Sequence, residues 1–323
     1  MNVIELDSIQ KSYDTTPVLR GLNLNVAESQ VFGLLGPNGA GKSTLIHLMM
    51  GFLKPDAGTI QMLGTTPIAA HREVGYLPER LRYHTHCTGR EYLHYIGRFG
   101  FERGQTLKDR VSELLTLVDL GEAADRRMKT YSKGMLQRIG IAQALISDPK
   151  LLLIDEPSSG LDPAGQVEMQ DLLRELRSRG HSIFLCSHQL DEINAVCDRV
   201  GILVRGQIAA ETDLAALPGT QGIVVTLKEL PADDLDYGLR ALDPSITRQD
   251  RQITIPISTP QVQSKVLQLL LDEGFTVAAL QPTLGTLRDI YLHVVSGKEI
   301  PVEIQPNAVP PLLDTLLAEE EQA

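Results

Sequence analysis

Lys42 and Ser43 close the run Gly36-Pro37-Asn38-Gly39-Ala40-Gly41-Lys42-Ser43-Thr44, whose spacing suits it to hold phosphate. Glycines let the backbone curl until its N–H groups face anionic oxygens, and an ammonium and a hydroxyl then follow. Lys42 is expected at the β- and γ-phosphates of a nucleotide, and Ser43 on Mg²⁺. Farther along, Leu151-Leu152-Leu153-Ile154-Asp155-Glu156-Pro157 ends an aliphatic run in two carboxylates. Asp155 is placed to hold Mg²⁺, directly or through water, and Glu156 to polarise an attacking water. The plain alternatives are a Gly-rich turn and a pair of solvated acids. The full loop spacing in its local context disfavours the first, and the presence of that loop upstream disfavours the second.

These groups need elements to aim them. Val31-Phe32-Gly33-Leu34-Leu35 is a short apolar run and reads as a buried strand. A helix beginning near Lys42 would carry Leu45, Ile46, Leu48 and Met49, and its N-terminal dipole favours an anion. Leu151 to Ile154 suit a parallel strand buried on both faces. Residues 3–26 read as strand-rich, and 55–64 as a turn into a short strand. Residues 88–148 read as helices, the first opened by the capping box Thr88-Gly89-Arg90-Glu91 and the last capped by Ser132. Pro163 should open another helix and Gly180 close it. Strands are expected at 181–186 and 200–204, with a hairpin at Arg205-Gly206-Gln207. Helices alternating with apolar strands imply a parallel α/β core.

With these pieces in order, the chain resembles the ABC ATPase family over about residues 1–215. The resemblance implies a P-loop NTPase core with a helical subdomain over about 80–148. Gly36, Asn38, Gly39, Ala40, Gly41, Lys42, Ser43 and Thr44 then bind ATP, and Asp155-Glu156 are the Walker B pair. Ser159-Gly160-Leu161-Asp162-Pro163 look like the D-loop, with Asp162 at the nucleotide, and His188 looks like the γ-phosphate sensor. Tyr13 stands where the family stacks an aromatic on adenine, and Val18 falls among the nucleotide-binding positions. Tyr131-Ser132-Lys133-Gly134-Met135 resembles the signature loop, so Ser132 and Gly134 would bind the ATP held by an opposing subunit. Two positions depart from the family pattern. Glu79 replaces the usual Gln at the end of Val74-Gly75-Tyr76-Leu77-Pro78-Glu79; as a carboxylate it could still bind Mg²⁺ or water but not donate. Lys133 and Met135 replace a Gly and a Gln of the signature, leaving a hydroxyl and helix-terminal N–H groups for phosphate. Both departures resemble the exporter branch that pairs with ABC-2 permeases.

Composition fits that expectation. No apolar run approaches the roughly 20 residues of a membrane helix, and no signal-like segment precedes Ile4-Glu5-Leu6. Cys87, Cys186 and Cys197 form no paired spacing, which favours a reducing compartment. His84, His86 and Cys87 offer only three candidate metal ligands, and a loop facing a partner is the better reading. The net charge of −11 argues against nucleic acid. From residue 218 onward 7 Lys+Arg face 15 Asp+Glu, so most of the excess acid is C-terminal.

Leu217-Pro218-Gly219 marks an expected boundary between an ATPase domain, 1–217, and a small accessory domain, 218–296. The second has a β-α-β-β-α-β pattern that suggests a ferredoxin-like α+β module. Pro282 to Leu292 resembles the segment that ends many ABC-2 exporter ATPases, and 297–323 reads as a Pro-rich acidic tail. The resemblance implies an ATP-hydrolysing subunit, homodimeric or heterodimeric, on an integral membrane permease at the cytoplasmic face of the plasma membrane. An ABC ATPase of DNA repair or translation, and a regulatory module without turnover, are the other classes. The acidic balance and the lack of a long coiled-coil insertion disfavour the former. Intact Lys42, Asp155, Glu156 and His188 disfavour the latter.

Overall fold

The computed structural model describes residues 1–80, 83–100, 106–217, 222–231, 234–255, 260–282 and 286–297. Strands β1 (Asn2–Tyr13) and β2 (Thr16–Ala27) lead into β3 (Val31–Leu35), and helix α1 (Lys42–Met49) leaves the loop that follows. After β4 (Ala57–Met62), the single turn α2 (Pro67–Ala70) and β5 (Val74–Leu77) come the helices α3 (Gly89–Gly97), α4 (Leu107–Leu117) and α5 (Lys133–Ala144). The chain continues through β6 (Leu151–Asp155), α6 (Pro163–Ser178), β7 (Ser182–Ser187), α7 (Leu190–Val196), β8 (Arg199–Val204) and β9 (Gln207–Asp213). The remainder is β10 (Ile223–Leu227), α8 (Asp234–Leu242), β11 (Thr247–Gln249), β12 (Gln252–Ile255), α9 (Pro260–Asp272), β13 (Val277–Pro282) and α10 (Leu287–Val295).

The central sheet has the order β5-β6-β7-β3-β8-β9, parallel except for the β8–β9 hairpin. Its middle strands β6, β7 and β3 are buried at every position because both faces are covered, and alternation sorts their side chains. Val31, Leu35, Leu152, Ile154, Ile183 and Leu185 join the core shared with the helices. Phe32, Leu34, Leu151, Leu153, Phe184 and Cys186 face the other core, with α1 and the antiparallel sheet β2-β1-β4. Phe32 stacks on Phe184 with ring centroids 5.7 Å apart, tying two neighbouring strands. The expected capping box at Thr88 is present, and the Ser132 hydroxyl accepts from Met135 N at 3.2 Å to cap α5. Among the described residues no helix is long and apolar enough to cross a membrane.

The C-terminal strands form a separate antiparallel sheet, β11-β12-β10-β13, with α8 and α9 over a small core of Val225, Leu239, Ile253, Val266 and Leu270. That strand order is the one a β-α-β-β-α-β ferredoxin-like module requires. The sequence expectation put residues 218–296 together, but α10 packs elsewhere. Its buried Leu287, Ile290 and Val294 join the main core beside α7, β8 and β9. An i, i+3, i+7 apolar stripe shows that a helix needs a partner without saying which one. The expected boundary residues Pro218 and Gly219 and nearly all of the Pro-rich tail lie outside the described residues.

Candidate active site

Three parallel strands end side by side and supply the site. β3 runs into the phosphate loop, β6 ends at Asp155, and β7 ends one residue before His188. The loop turns back sharply at Gly39 (φ 82°) and Gly41 (φ 111°), a backbone region that strains other residues. Gly36 passes so close to β8 that a Cβ there would stand 2.5 Å from the Leu203 carbonyl oxygen. The backbone is therefore shaped before any side chain is considered, and α1 starts at Lys42 directly behind it.

Lys42 is buried, and its Nζ donates to the carbonyls of Gly36 at 2.6 Å and Pro37 at 3.3 Å. The same Nζ lies 3.6 Å from Glu156 Oε1. Glu156 has φ 52°, the left-handed region, where a non-glycine residue costs on the order of 1 kcal/mol or more. Its N–H donates to the Cys186 carbonyl at 2.9 Å, which pins the loop to β7. Glu156 Oε2 stands 2.7 Å from His188 Nδ1; a carboxylate only accepts, so that ring nitrogen carries the hydrogen. Asp155 is buried at the end of β6, and burial holds its carboxyl above the ordinary range. A hydrogen bond from Ser43 and the Lys42 charge oppose that rise, while Glu156 and Glu79 add to it. Asp155 Oδ1 is buried without a hydrogen-bond partner. An orphaned carboxylate oxygen beside a serine hydroxyl fits a hard divalent cation that takes its other ligands from water and phosphate.

A cavity of about 560 Å³ opens over these groups. It brings together Asn38, Gly39, Gly41, Lys42, Ser43 and Thr44 of the loop, Val18 of β2, Glu79, Glu156 and His188. Pro37, Arg80 and Ser159 also line it without having been assigned a role; Pro37 and Ser159 stand inside the loop motifs, and Arg80 directly follows Glu79. Ala40 is buried within the loop, and Asp155 lies beneath the lining. Glu79 is half exposed, 3.6 Å from Arg80 Nε. Besides Gly36, Ala40 and Asp155, four expected residues are not among the lining. Tyr13 ends β1, 44% exposed. Ser132 caps α5, and Asp162 caps α6 by accepting from Gly165 N at 3.1 Å. Gly134 also lies off the cavity, and a Cβ there would be 3.9 Å from the Leu161 side chain. His84, His86 and Cys87 do not converge, since no cluster of three metal-ligating side chains occurs among the described residues.

The chain is similar to known proteins in both sequence and fold. Residues 19–159 match the family model described as ABC transporter. The chain is 42% identical to an uncharacterized ABC transporter ATP-binding protein of Nostoc sp. (strain PCC 7120) over 63% of its own length and 62% of that protein's. It is 31% identical to the daunorubicin resistance ATP-binding protein DrrA3 of Streptomyces coeruleorubidus, over 90% of this chain and 95% of that one. A solved structure of an ATP binding subunit of an ABC transporter superposes with a TM-score of 0.60 at 28% identity, covering 67% of this chain and 91% of the other. The protein belongs to the ABC transporter ATP-binding family.

Proposed function

We propose that this protein hydrolyses ATP to drive export through a separate membrane permease of the ABC-2 type, at the cytoplasmic face of the plasma membrane. The observation that carries the reading is the convergence of Lys42, Glu156 and His188 on one cavity, with Glu156 held 2.7 Å from His188. The loop N–H groups and the α1 dipole bind the phosphates, and Lys42 turns from its carbonyl contacts to the β- and γ-oxygens. Ser43 and Asp155 hold Mg²⁺, with Glu79 beside them. Bound there, the cation offsets charge on the phosphate oxygens. Glu156 orients and deprotonates the attacking water, while His188 fixes the carboxylate and faces the γ-phosphate.

Ser132, Gly134 and Asp162 serve a second subunit. The Ser132 loop runs along the 159–162 loop, where a Cβ on Gly160 would meet the Lys133 side chain. Its exposed hydroxyl and helix N-terminus lie off this chain's own cavity, so a head-to-tail partner, identical or related, would receive them. Tyr13 would stack on adenine at the mouth. The name of DrrA3 places that relative in drug resistance, which supports export as the direction of transport. The test is ATPase activity of the purified protein, followed by copurification from membranes. Magnesium-dependent turnover and a copurifying permease are expected; nucleotide binding without turnover would favour a regulatory module.

A further inference from the structure

Glu192 is a carboxylate buried to 1% exposure in α7, and among the described residues no ion pair reaches it. A buried carboxylate is costly unless its oxygens are satisfied. Here both are: Ser158 Oγ donates to Oε1 at 2.5 Å and Ser187 Oγ to Oε2 at 2.6 Å. The Ser187 hydroxyl in turn accepts from Gln189 N at 3.0 Å, which orients it. Ser158 stands two residues beyond Glu156, and Ser187 stands immediately before His188. The two serines therefore come from the turn after Glu156 and from the end of β7, next to the two groups in contact across the site.

We propose that Glu192 is a positioning residue for ATP hydrolysis, clasping the Glu156 and His188 loops so that the two side chains keep their spacing. This rests on the assignment of Glu156 and His188 to hydrolysis. Without the clasp, the Glu156 N–H to Cys186 carbonyl bond still joins the backbones. The loops would stay close, but Glu156 and His188 would pivot independently. The clasp's hydrogen bonds run among Ser158, Ser187, Glu192 and Gln189 and none of them goes to the phosphate loop, so nucleotide affinity should be spared while the chemical step suffers. Misplacement of catalytic groups by about 1 Å can cost on the order of 10²-fold in rate.

The test compares full-length wild type with Glu192→Ala, Glu192→Gln, Ser158→Ala and Ser187→Ala, reading kcat, KM and nucleotide titration. Glu192→Ala is expected to lower kcat on the order of 10²-fold and leave nucleotide affinity within a few-fold. Glu192→Gln keeps one acceptor oxygen and should restore part of the rate. In a His188→Ala background, the further loss from Glu192→Ala should largely vanish, because the spacing it sets no longer matters. Each serine variant removes one arm and should reproduce the kcat loss, which keeps the test open if Glu192→Ala fails to fold. Full kcat in Glu192→Ala or in both serine variants would overturn the clasp, as would losses that simply add to His188→Ala. Glu156→Gln is measured alongside. If it retains turnover, the base assignment fails and the proposal with it; if it alone loses turnover, only the clasp fails.

Discussion

At the scale of single residues, Glu156 is held by three different means: a strained backbone, a hydrogen bond to β7 and the His188 ring. Glu156→Gln keeps the size of the side chain and removes its basicity. ATP binding should persist while steady-state hydrolysis falls by ~10²-fold or more, the scale of a general base. Near-normal turnover in that variant would place the base elsewhere. Glu192 gives a second prediction, on stability. Burial holds its carboxyl above the ordinary 4.5, opposed by the Ser158 and Ser187 hydrogen bonds, raised by the Glu156 charge and lowered by His188. Below both the folded and the unfolded value, the two states bind the proton alike. As pH rises past 4.5 the unfolded chain releases its proton first, so ionisation favours unfolding, with the full penalty above the folded value. Relative to Glu192→Gln, the wild type should therefore lose stability as pH rises through that window. Urea denaturation at stepped pH measures it, and a pH-independent difference would contradict it. The sequence revealed Lys42 and Asp155 readily, because phosphate chemistry imposes a fixed spacing on contiguous residues. Glu192 was not legible, since Asp191-Glu192 looks like any acidic first turn until the fold brings Ser158 and Ser187 to it.

At the scale of elements, α10 links the end of the described chain to the machinery. It packs on α7, the helix that carries Glu192 and follows His188. The C-terminal strands and helices from Ile223 to Pro282 were readable from alternation and turn residues alone. The destination of α10 was not, because a stripe of Leu287, Ile290 and Val294 fits either core. Ile290 is fully buried, so Ile290→Ala should cost about 2–4 kcal/mol of unfolding free energy. Chemical denaturation would show this, and a change under about 0.5 kcal/mol, the range of ordinary surface substitutions, would mean that α10 is not docked. A chain ending near Leu217 lacks that helix and uncovers part of the core beside α7, β8 and β9. It keeps every residue lining the nucleotide cavity, so ATP should still bind within a few-fold of full length, with lower thermal stability. Complete loss of nucleotide binding in a folded truncation would show that the C-terminal part shapes the site.

At the scale of the whole molecule, the central claim is that hydrolysis needs two chains. The residues lining one cavity include the phosphate loop, Glu156 and His188, while Ser132 and Gly134 stand outside it at the start of α5. Ser132→Arg should thus abolish turnover without touching the chain's own cradle, as Lys42→Ala should by disabling that cradle. In a heterodimer of the two variants, one interface carries both lesions and the other carries neither. The decisive measurement is the ATPase rate of each variant alone and of their equimolar mixture. Two nearly inactive proteins that regain activity on mixing, up to one working site per heterodimer, are expected. A Ser132→Arg protein that hydrolyses ATP at the wild-type rate, or a mixture no more active than its separate parts, would contradict the shared site.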